Sequence, residues 1–374
     1  MMAAGKRLAV ASFALVGFCL LGNMAAAVEP AQVSVDFDAA HVTRVTVKGE
    51  AGVGGRSVTA RDPVRVASIS KLIVALTTLR LVDEGKVDLD RDIDTYLGYS
   101  VRNPAFPDRP LTLRQLLSHK SSLTDGADYL LPLDADLGTF LKNPDAWDSG
   151  HMPGSWYHYT NLNFPVVAAV LEAATGERFD RLAASRVLTP LKLDACFNWQ
   201  TGCSAGQRAR AVTLLRPNGD LAKDAPVKGA DPCPFVPASN GSCDSALYRL
   251  GQNGAAFSPQ GGLRISALDL AKIGQLLLRQ GRPILSKKAF AEMTKTEWRA
   301  SEQPADGEVV SGSYGLGLMM VSAGDGQTWI GHSGSAYSLR SGLWVNPKTR
   351  KGKVQYVTMV AENAPDGNCL VTCP

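Results

Sequence analysis

Apolar and polar residues alternate near both ends of the chain. Such alternation places every second side chain on one face, as in a half-buried β-strand. Near the N-terminus the alternating runs occupy residues 33–35 and 42–47. The pattern predicts one antiparallel sheet built from both ends of the chain, from about 33–65 and 312–362. In the second part, strand-like runs occur at 314–321, 328–332, 339–345 and 353–360, with turns at 324–326 and 346–347.

A different periodicity predicts a helix from Ser68 to about Glu84. Its first half is apolar on nearly all sides, and Gly85 follows it as a stop signal. A helix that is apolar all round is buried rather than amphipathic. We therefore expect this helix to run through the middle of the molecule.

The chain between the two groups of strands is predicted to be mostly helical over about 86–260. Thr112 is placed to cap a helix over 113–118, and Pro165 opens a helix that ends at Gly176. A later helix, which ends at Gly281, starts from a run at 266–269 that resembles a capping box.

Residues 196–258 differ from the rest of this region. They are rich in Gly, Pro, Ser and Cys and predict an excursion rather than a core element. The expected fold class is α/β of the α+β type. It has an antiparallel sheet from the N- and C-terminal segments, flanked by helices, and an inserted, mostly helical region.

Residues 1–27 have the organisation of a secretory signal peptide. Lys6 and Arg7 supply a positive start, Leu8–Leu21 is almost wholly apolar, and small residues at 25–27 suit cleavage. The apolar run is short for a bilayer span, so no stable membrane anchor is expected. The segment predicts an exported protein, with the periplasm as its expected compartment.

Charge and cysteine content limit the possible partners and cofactors. The 39 Lys and Arg and 35 Asp and Glu are scattered, so no nucleic-acid partner is expected. Removing residues 1–27 leaves six of the seven cysteines, an even number in an oxidising compartment. A metal site is the weaker alternative, because no Cys-x-x-Cys pair occurs. Proximity favours the pairs Cys196–Cys203, Cys233–Cys243 and Cys369–Cys373, the last pinning a tail at 363–374, although other pairings are possible.

The run Ser68-Ile69-Ser70-Lys71 carries a candidate nucleophile and base. Residues three apart on a helix share a face, so Ser68 and Lys71 are expected to lie side by side. At a helix start, unpaired backbone N–H groups favour negative charge on Ser68. Burial disfavours a charged ammonium, so Lys71 is a candidate general base. The same pattern also fits a helix that merely begins with serine and carries one lysine.

A second motif is Tyr159-Thr160-Asn161, which stands shortly before the helix that opens at Pro165. Side chains two apart in an extended loop point the same way. Tyr159 and Asn161 could together offer a proton shuttle and an amide. Taken alone, this triplet fits a surface loop equally well.

A third motif, His332-Ser333-Gly334-Ser335, follows a predicted strand. A glycine at this point lets a ligand approach the backbone closely. A backbone N–H just after Gly334 could pair with that of Ser68 to form an oxyanion hole. The three motifs together therefore predict a site for acyl transfer.

In this order, on these elements, the motifs resemble the serine β-lactamase and penicillin-binding-protein superfamily. The nearer resemblance is to class C β-lactamases, the esterases related to them, and D-aminopeptidases. It covers about residues 40–362 and implies one β-lactamase-like hydrolase domain over 28–362. The longer segments that share it are 64–97, 111–123, 153–164 and 261–277.

The resemblance implies a role for each matching position. Ser68 would be acylated, Lys71 would help to take its proton, and Tyr159 would act as general base and acid. Asn161 would orient the substrate amide or ester. The N–H groups of Ser68 and Ser335 would form the oxyanion hole. No metal or organic cofactor is implied.

His332 departs from the pattern of the β-lactamases and penicillin-targeted peptidases, which usually carry lysine there. A histidine near its ordinary pKa is mostly neutral at pH 7, so strong anchoring of a substrate carboxylate is not expected. Histidine at this position resembles the esterase and D-aminopeptidase side of the superfamily. We expect His332 to donate a hydrogen bond to Tyr159 or to the substrate. The alternative is a strand-end histidine with a structural partner.

The sequence thus predicts an exported serine hydrolase that acts through an acyl-enzyme. Its expected substrates are small carboxylic esters or D-amino-acid amides and peptides. The alternatives are a class C-like β-lactamase or D,D-carboxypeptidase, and a module that binds peptidoglycan or β-lactams without turnover. A pure binder needs no matched base, which favours the enzyme. The pocket walls are expected from residues 120–160 and 196–258.

Three other patterns are interpreted as unrelated to the chemistry. Residues 202–206 match the Gly-x-Ser-x-Gly elbow of α/β-hydrolases but lack the buried strand that the elbow needs. Asp88, Asp90 and Asp92 lack the glycine and glutamate of a calcium loop. His119 lies in a helix-end segment, and a structural role is expected for it.

Overall fold

A computed structural model of the chain describes residues 28–222, 233–303, 312–323 and 326–361, together with Ala364 and Cys369. The predicted signal peptide, residues 324–325 of the predicted turn and Cys373 lie outside these residues. Within them, no helix combines the length and apolar character needed to cross a membrane.

The strands of the described residues are β1 (Gln32–Asp38), β2 (Val42–Lys48), β3 (Val64–Arg65), β4 (Arg264–Ile265), β5 (Trp298–Arg299), β6 (Ser313–Tyr314), β7 (Met319–Ser322), β8 (Thr328–Ala336), β9 (Leu339–Asn346) and β10 (Lys351–Val357). Eight of them form one antiparallel sheet in the order β2-β1-β10-β9-β8-β7-β6-β5, and β3 pairs with β4 in a separate ribbon. Since β1 pairs with β10 along its whole length, the sheet joins strands from the two ends of the chain, as predicted.

Between the two groups of strands the described chain is mainly turns and loops that join short helices, so the prediction of a mostly helical region over 86–260 is wrong. Ser266 caps the helix before the C-terminal strands by accepting from Asp269 N, although the Asp269 side chain does not complete the predicted capping box. The α-helices of the described residues are α1 (Ser70–Asp83), α2 (Asp94–Leu97), α3 (Leu113–Leu117), α4 (Leu137–Phe140), α5 (Asn163–Thr175), α6 (Phe179–Ala183), α7 (Ala205–Arg210), α8 (Ala267–Leu278) and α9 (Lys287–Thr294).

Helix α8 packs on β1, β9 and β10 through a close contact at Phe37. A Cβ atom added to Gly274 or Gly352 would lie 2.2 or 2.3 Å from the Phe37 ring. Only glycine leaves room for the ring at these two positions, one on the helix and one on the sheet. This contact fixes the helix that follows β4 against the centre of the sheet.

Helix α1 lies in the core, as its pattern predicts. Every side chain from Ser70 to Leu79 is buried, and the helix packs against α5, α6 and α9. The prediction that α1 begins at Ser68 is wrong by two residues. Residues Ala67–Ile69 form a tighter 3₁₀ turn that leads into the helix. Ser68 therefore lies in the turn, at the entrance to α1.

The strand predicted over 314–321 is interrupted at Gly317, so that β6 and β7 form a hairpin. Gly317 has a φ of +61°, and its added Cβ would lie 2.9 Å from Lys71 O and 2.8 Å from Ala75 Cβ. The hairpin tip rests on the buried helix, and a side chain there would push the two apart. The sheet thereby contacts α1 at Lys71.

The excursion over 196–258 is held by two of the predicted disulfides. Cys196–Cys203 and Cys233–Cys243 have Cα atoms 5.2 and 5.5 Å apart, within the usual range for a disulfide. The Cys369–Cys373 pair includes a residue outside the described ranges and stays a prediction.

Candidate active site

Ser68 lies in the turn between β3 and α1, and a second serine braces that turn. Ala67 has a φ of 51°, in the left-handed region that costs a non-glycine residue about 1–2 kcal/mol. Ser70 Oγ donates to Ala67 O over 2.6 Å and accepts from Leu263 N over 2.9 Å. Ser70 is fully buried, whereas Ser68 remains partly exposed. The geometry thus singles out Ser68 as the serine that a ligand can reach.

Lys71 lies fully buried beside Ser68, as the three-residue spacing predicts. Its Nζ is 2.9 Å from Ser68 Oγ, 2.9 Å from Asn161 Oδ1 and 3.1 Å from Gln260 O. Three oxygen atoms therefore surround one nitrogen, at distances of ordinary hydrogen bonds.

This geometry also suits a neutral Lys71 amine. Amide and backbone carbonyl oxygens can only accept, so they take the two N–H groups of a neutral amine. The nitrogen lone pair is then directed to the third neighbour, the Ser68 hydroxyl, which can donate. In that state the arrangement couples a hydroxyl to a base.

Asp125 decides which way the Asn161 amide points. Its Oδ2 accepts from Asn161 Nδ2 over 2.9 Å and from Asn161 N over 3.0 Å, and its Oδ1 accepts from Leu162 N over 3.0 Å. A carboxylate can only accept, so Nδ2 must face Asp125. The Asn161 oxygen is consequently left facing Lys71.

The Tyr159 ring lies between His119 and Lys71. It stacks on His119 with ring centroids 4.3 Å apart and an angle of 22° between the planes. Lys71 Nζ is 4.8 Å from the Tyr159 centroid. Tyr159 and Asn161 are thus both brought to Lys71, which fits the expectation that their side chains point the same way.

Strand β8 brings the third motif against the Ser68 turn. A Cβ atom added to Gly334 would lie 2.3 Å from Val66 O and 3.2 Å from Ser68 N. The glycine is needed because strand and turn meet backbone to backbone at this point. Ser335, the next residue, lines the same cleft as Ser68.

His332 faces the protein interior through both ring nitrogens. Nε2 is 3.0 Å from the Tyr314 hydroxyl, and Nδ1 is 2.6 Å from Ser333 O. The expectation that His332 donates to Tyr159 or to the substrate is therefore wrong, because structural partners take both positions. Burial, with the charge of Lys71 as a second cause, lowers the pKa of His332 to about 3.

The His119 ring contacts both Tyr159 and Tyr314. Its Nε2 is 3.2 Å from the Tyr314 hydroxyl, and its Nδ1 accepts from Thr160 N over 3.0 Å. Burial first, and Lys71 second, hold the pKa of His119 well below its ordinary value. These contacts fit the structural role expected for His119. Its ring also stacks directly on Tyr159.

A cleft of about 340 Å³ opens at Ser68 and is lined also by Asn161 and Ser335. A second cavity of about 200 Å³ adjoins it and shares Arg65 and other wall residues. Residues 233–237 of the excursion line this second cavity. The Cys-rich region thus supplies a wall next to the cleft.

The motifs set aside in the sequence lie elsewhere. Ser204 of the Gly-x-Ser-x-Gly run caps α7 by accepting from Gln207 N. Asp90 pairs with Arg114, and Asp92 pairs with Arg102. Over the described ranges, no group of three or more His, Cys, Asp or Glu side chains is arranged to hold a metal ion.

A sequence profile of the Beta-lactamase family matches residues 38–368. The chain belongs to the beta-lactamase family. The relatives include the D-alanyl-D-alanine-carboxypeptidase/endopeptidase AmpH of Escherichia coli (strain K12), 27% identical over 34% of this chain and 34% of AmpH. Esterase EstB of Burkholderia gladioli is 31% identical over 38% of this chain and 40% of EstB. The matches thus span about a third to two fifths of these relatives.

Solved structures with this beta-lactamase-like fold superimpose on most of the chain. A penicillin-binding protein homologue from Pyrococcus abyssi superimposes with a TM-score of 0.67 at 21% identity, covering 89% of this chain and 70% of that protein. The D-amino acid amidase from Ochrobactrum anthropi, complexed with L-phenylalanine amide, gives 0.64 at 18% identity and covers 90% and 88%. At these identities the likeness shows the fold alone.

The sequence motifs do not include several residues around this beta-lactamase-family site, among them Asp125, Gln260, Tyr314 and Ser341. Ser341 Oγ donates to Val66 O over 3.0 Å and so ties β9 to the strand before Ser68. Gln260 acts through its backbone carbonyl, which no side-chain pattern reveals. The other two are single polar residues in ordinary segments, and only the tertiary contacts distinguish them.

Proposed function

We propose that the protein is a serine hydrolase that acts through an acyl-enzyme, with Ser68 as nucleophile and Lys71 as its base. The observation that carries the proposal is the 2.9 Å hydrogen bond between Lys71 Nζ and Ser68 Oγ. Carbonyl oxygens beside it can hold the other N–H groups of the amine. Membership of the beta-lactamase family supports the same chemistry.

In the first half-reaction, Ser68 Oγ bonds to the substrate carbonyl carbon while its proton passes to Lys71 Nζ. The carbonyl electron pair moves onto oxygen, and the backbone N–H groups of Ser68 and Ser335 donate to it. When the carbonyl re-forms, the bond to the leaving group breaks. Tyr159 gives its proton to the leaving group and takes one from Lys71.

In the second half-reaction, water attacks the acyl carbon. The water proton passes to the Tyr159 oxygen as the Tyr159 proton passes to Lys71. The bond between Ser68 Oγ and the acyl carbon then breaks, and Lys71 returns the proton to Oγ. The products are a carboxylic acid and the unchanged enzyme. Asn161 holds Lys71 through its Oδ1 and orients the substrate amide or ester.

Small carboxylic esters and D-amino-acid amides or peptides are the proposed substrates. Support comes from the names of an esterase relative and of structures of a D-stereospecific amidohydrolase and a D-amino acid amidase. The neutral, buried His332 adds to it, since it supplies no positive charge for a substrate carboxylate. A class C-like β-lactamase or D,D-carboxypeptidase is the second candidate. Arg65 favours it, because this positively charged residue is among those that line the cleft.

We also propose that the protein is exported to the periplasm after loss of residues 1–27, with the hydrolase domain over 28–362. The two disulfides within the excursion support an oxidising compartment. The proposed partners are small-molecule esters, peptides or β-lactams, and not nucleic acid.

A panel of three chromogenic substrates tests the substrate class. We expect turnover of p-nitrophenyl butyrate or D-alanyl-p-nitroanilide with kcat/KM at least about 100-fold above that of nitrocefin, because His332 carries no charge. L-Alanyl-p-nitroanilide is the matched control for stereospecificity. Faster turnover of nitrocefin than of both other substrates would favour the second candidate. Binding of all compounds without any turnover would contradict the hydrolase.

Replacing Asp125 with asparagine tests how the site is oriented. The Asp125→Asn side chain presents an NH₂ group to backbone donors and lets the Asn161 amide turn over. We expect kcat/KM for the preferred substrate to fall by about 10- to 100-fold, which corresponds to the loss of one charge-assisted hydrogen bond. Asp128→Asn, on the same loop but exposed, is the matched control. Equal effects of the two variants would count against this role of Asp125.

A further inference from the structure

Tyr314 joins the two buried histidines, His119 and His332, into one chain of hydrogen bonds. Its hydroxyl oxygen lies 3.2 Å from His119 Nε2 and 3.0 Å from His332 Nε2. At one end, His119 Nδ1 is 3.0 Å from Thr160 N, and at the other, His332 Nδ1 is 2.6 Å from Ser333 O. The chain runs from the loop of Tyr159 and Asn161 to strand β8, and both elements contribute a residue to the lining of the cleft, Asn161 and Ser335.

The proton positions at the first end are forced by Thr160. A backbone N–H can only donate, so His119 Nδ1 must accept and carries no proton. Asn163 Nδ2, 3.3 Å away, also faces this nitrogen, and its orientation is set because Ser121 Oγ donates to Asn163 Oδ1 over 2.6 Å. The proton of a neutral His119 is therefore on Nε2.

The other end is fixed by the Ser333 carbonyl oxygen, which can only accept. His332 Nδ1 must then carry the proton, and Nε2 of the neutral ring is an acceptor. Between the two rings, the Tyr314 hydroxyl accepts from His119 and donates to His332. A single proton arrangement satisfies every link, and it requires both rings to be neutral.

Nearby charge and burial both favour that neutral state. His119 and His332 are almost fully buried, and burial disfavours the imidazolium. Lys71 in its protonated form lowers the pKa of both rings, and His332 and His158 lower the pKa of His119 further. A second proton on His119 would place Nδ1–H against the N–H of Thr160, and a second proton on His332 would direct two N–H donors at the one Tyr314 hydroxyl. A neutral pair is thus required by the hydrogen bonds as well as by the surroundings.

We propose that Tyr314 is a positioning residue for the acyl-transfer site. Its hydroxyl fixes the ring of His119, on which Tyr159 stacks, relative to His332 on the strand that carries Ser335. The distance between the proton shuttle and the oxyanion side of the cleft is thereby set by one hydroxyl group. This inference rests on the proposed function, but it assigns Tyr314 and His119 a role that the three motifs do not contain.

The test removes that hydroxyl. In the full-length protein, Tyr314→Phe keeps the ring and its packing but breaks both central links. We expect kcat to fall by about 10- to 100-fold while KM changes by less than about twofold, because displaced reacting groups slow the chemical step more than binding. We also expect the pKa of His332 to rise, since its acceptor nitrogen loses a donor, and nitrogen-15 titration of the ring measures that change.

Tyr356→Phe is the control for the loss of a buried tyrosine hydroxyl. Tyr356 lies on β10 and is not a member of the chain of hydrogen bonds, so its replacement should leave kcat and the pKa of His332 unchanged. If Tyr314→Phe and Tyr356→Phe behave alike, the proposal is overturned. If the wild-type protein has no hydrolase activity, that result contradicts the proposed function, on which the role of Tyr314 rests.

The proton positions provide a test that does not depend on the folding of Tyr314→Phe. Nitrogen-15 spectra of the five histidines in the wild-type protein should show one fixed Nε2–H ring and one fixed Nδ1–H ring from about pH 5 to about pH 8. The signal lost in His119→Gln should be that of the Nε2–H ring, and the signal lost in His332→Gln should be that of the Nδ1–H ring. The reverse tautomers at His119 and His332, or titration of either of these two rings in this pH range, would overturn the proposal.

Discussion

Replacing Ser68 with alanine is expected to lower kcat/KM for the preferred substrate by at least about 1,000-fold. The variant has no hydroxyl next to Lys71. Ser70 cannot substitute, because its hydroxyl is fully buried and bonded to Ala67 O and Leu263 N. Incubation with a fluorophosphonate, followed by intact-mass measurement, should show one adduct on the wild-type protein and none on Ser68→Ala.

Ser204→Ala is the matched control for this experiment. Ser204 belongs to the Gly-x-Ser-x-Gly run, but it caps α7 and is expected to be unreactive. Its variant should keep both the adduct and the full rate. An adduct on Ser68→Ala, or its loss in Ser204→Ala, would show that a different serine is the nucleophile.

Replacing Lys71 with methionine is expected to slow acylation by about 1,000- to 10,000-fold. Methionine fills a similar buried volume but cannot take the proton of Ser68. Rapid-mixing measurement of the first turnover of p-nitrophenyl butyrate isolates this step. The residual rate should rise as pH rises, because hydroxide then replaces the missing base.

Lys272→Met, on the exposed side of α8, controls for the loss of one positive charge. It should acylate at the wild-type rate. A first-turnover rate of Lys71→Met within about tenfold of wild type would contradict the assignment of Lys71 as base. Tyr159 would then be the remaining candidate among the residues that surround the nucleophile.

The local parts of the site could be predicted because each lies within a few consecutive residues. The spacing of Ser68 and Lys71 places them side by side in any helical turn, and Tyr159 and Asn161 share one loop. Asp125 could not be found in this way. It reaches Asn161 across 36 positions, and no periodicity marks an aspartate that will accept three hydrogen bonds.

The fold could be predicted from the sequence to a similar extent. Alternation indicates the paired strands at both ends, but not that Gly317 breaks one of them, because the break depends on contact with α1. His332 shows the same limit. Its neutral character follows from its residue type and burial, whereas its partner depends on where the Tyr314 hairpin lies.

His119 is predicted to have a structural role because it lies at a helix end, and that position determines the direction of its ring. It has a φ of 58° immediately after α3, a left-handed conformation that usually ends a helix at glycine or asparagine. A histidine in this conformation places a large ring where the chain turns inward. Helix-end signals in a sequence identify the turn but not the direction of the side chain.

The pairing of β1 with β10 has a consequence for how the chain folds. Gln32 pairs with Val357, so one of the first strands to leave the ribosome waits for the last one before it can form its ladder. Such high contact order slows folding and leaves strand edges exposed in the meantime. Strand β8, which carries Ser335, is also made late. A nascent chain therefore has its serine and lysine long before it has a complete site, and activity should appear only after the C-terminal strands have been synthesised.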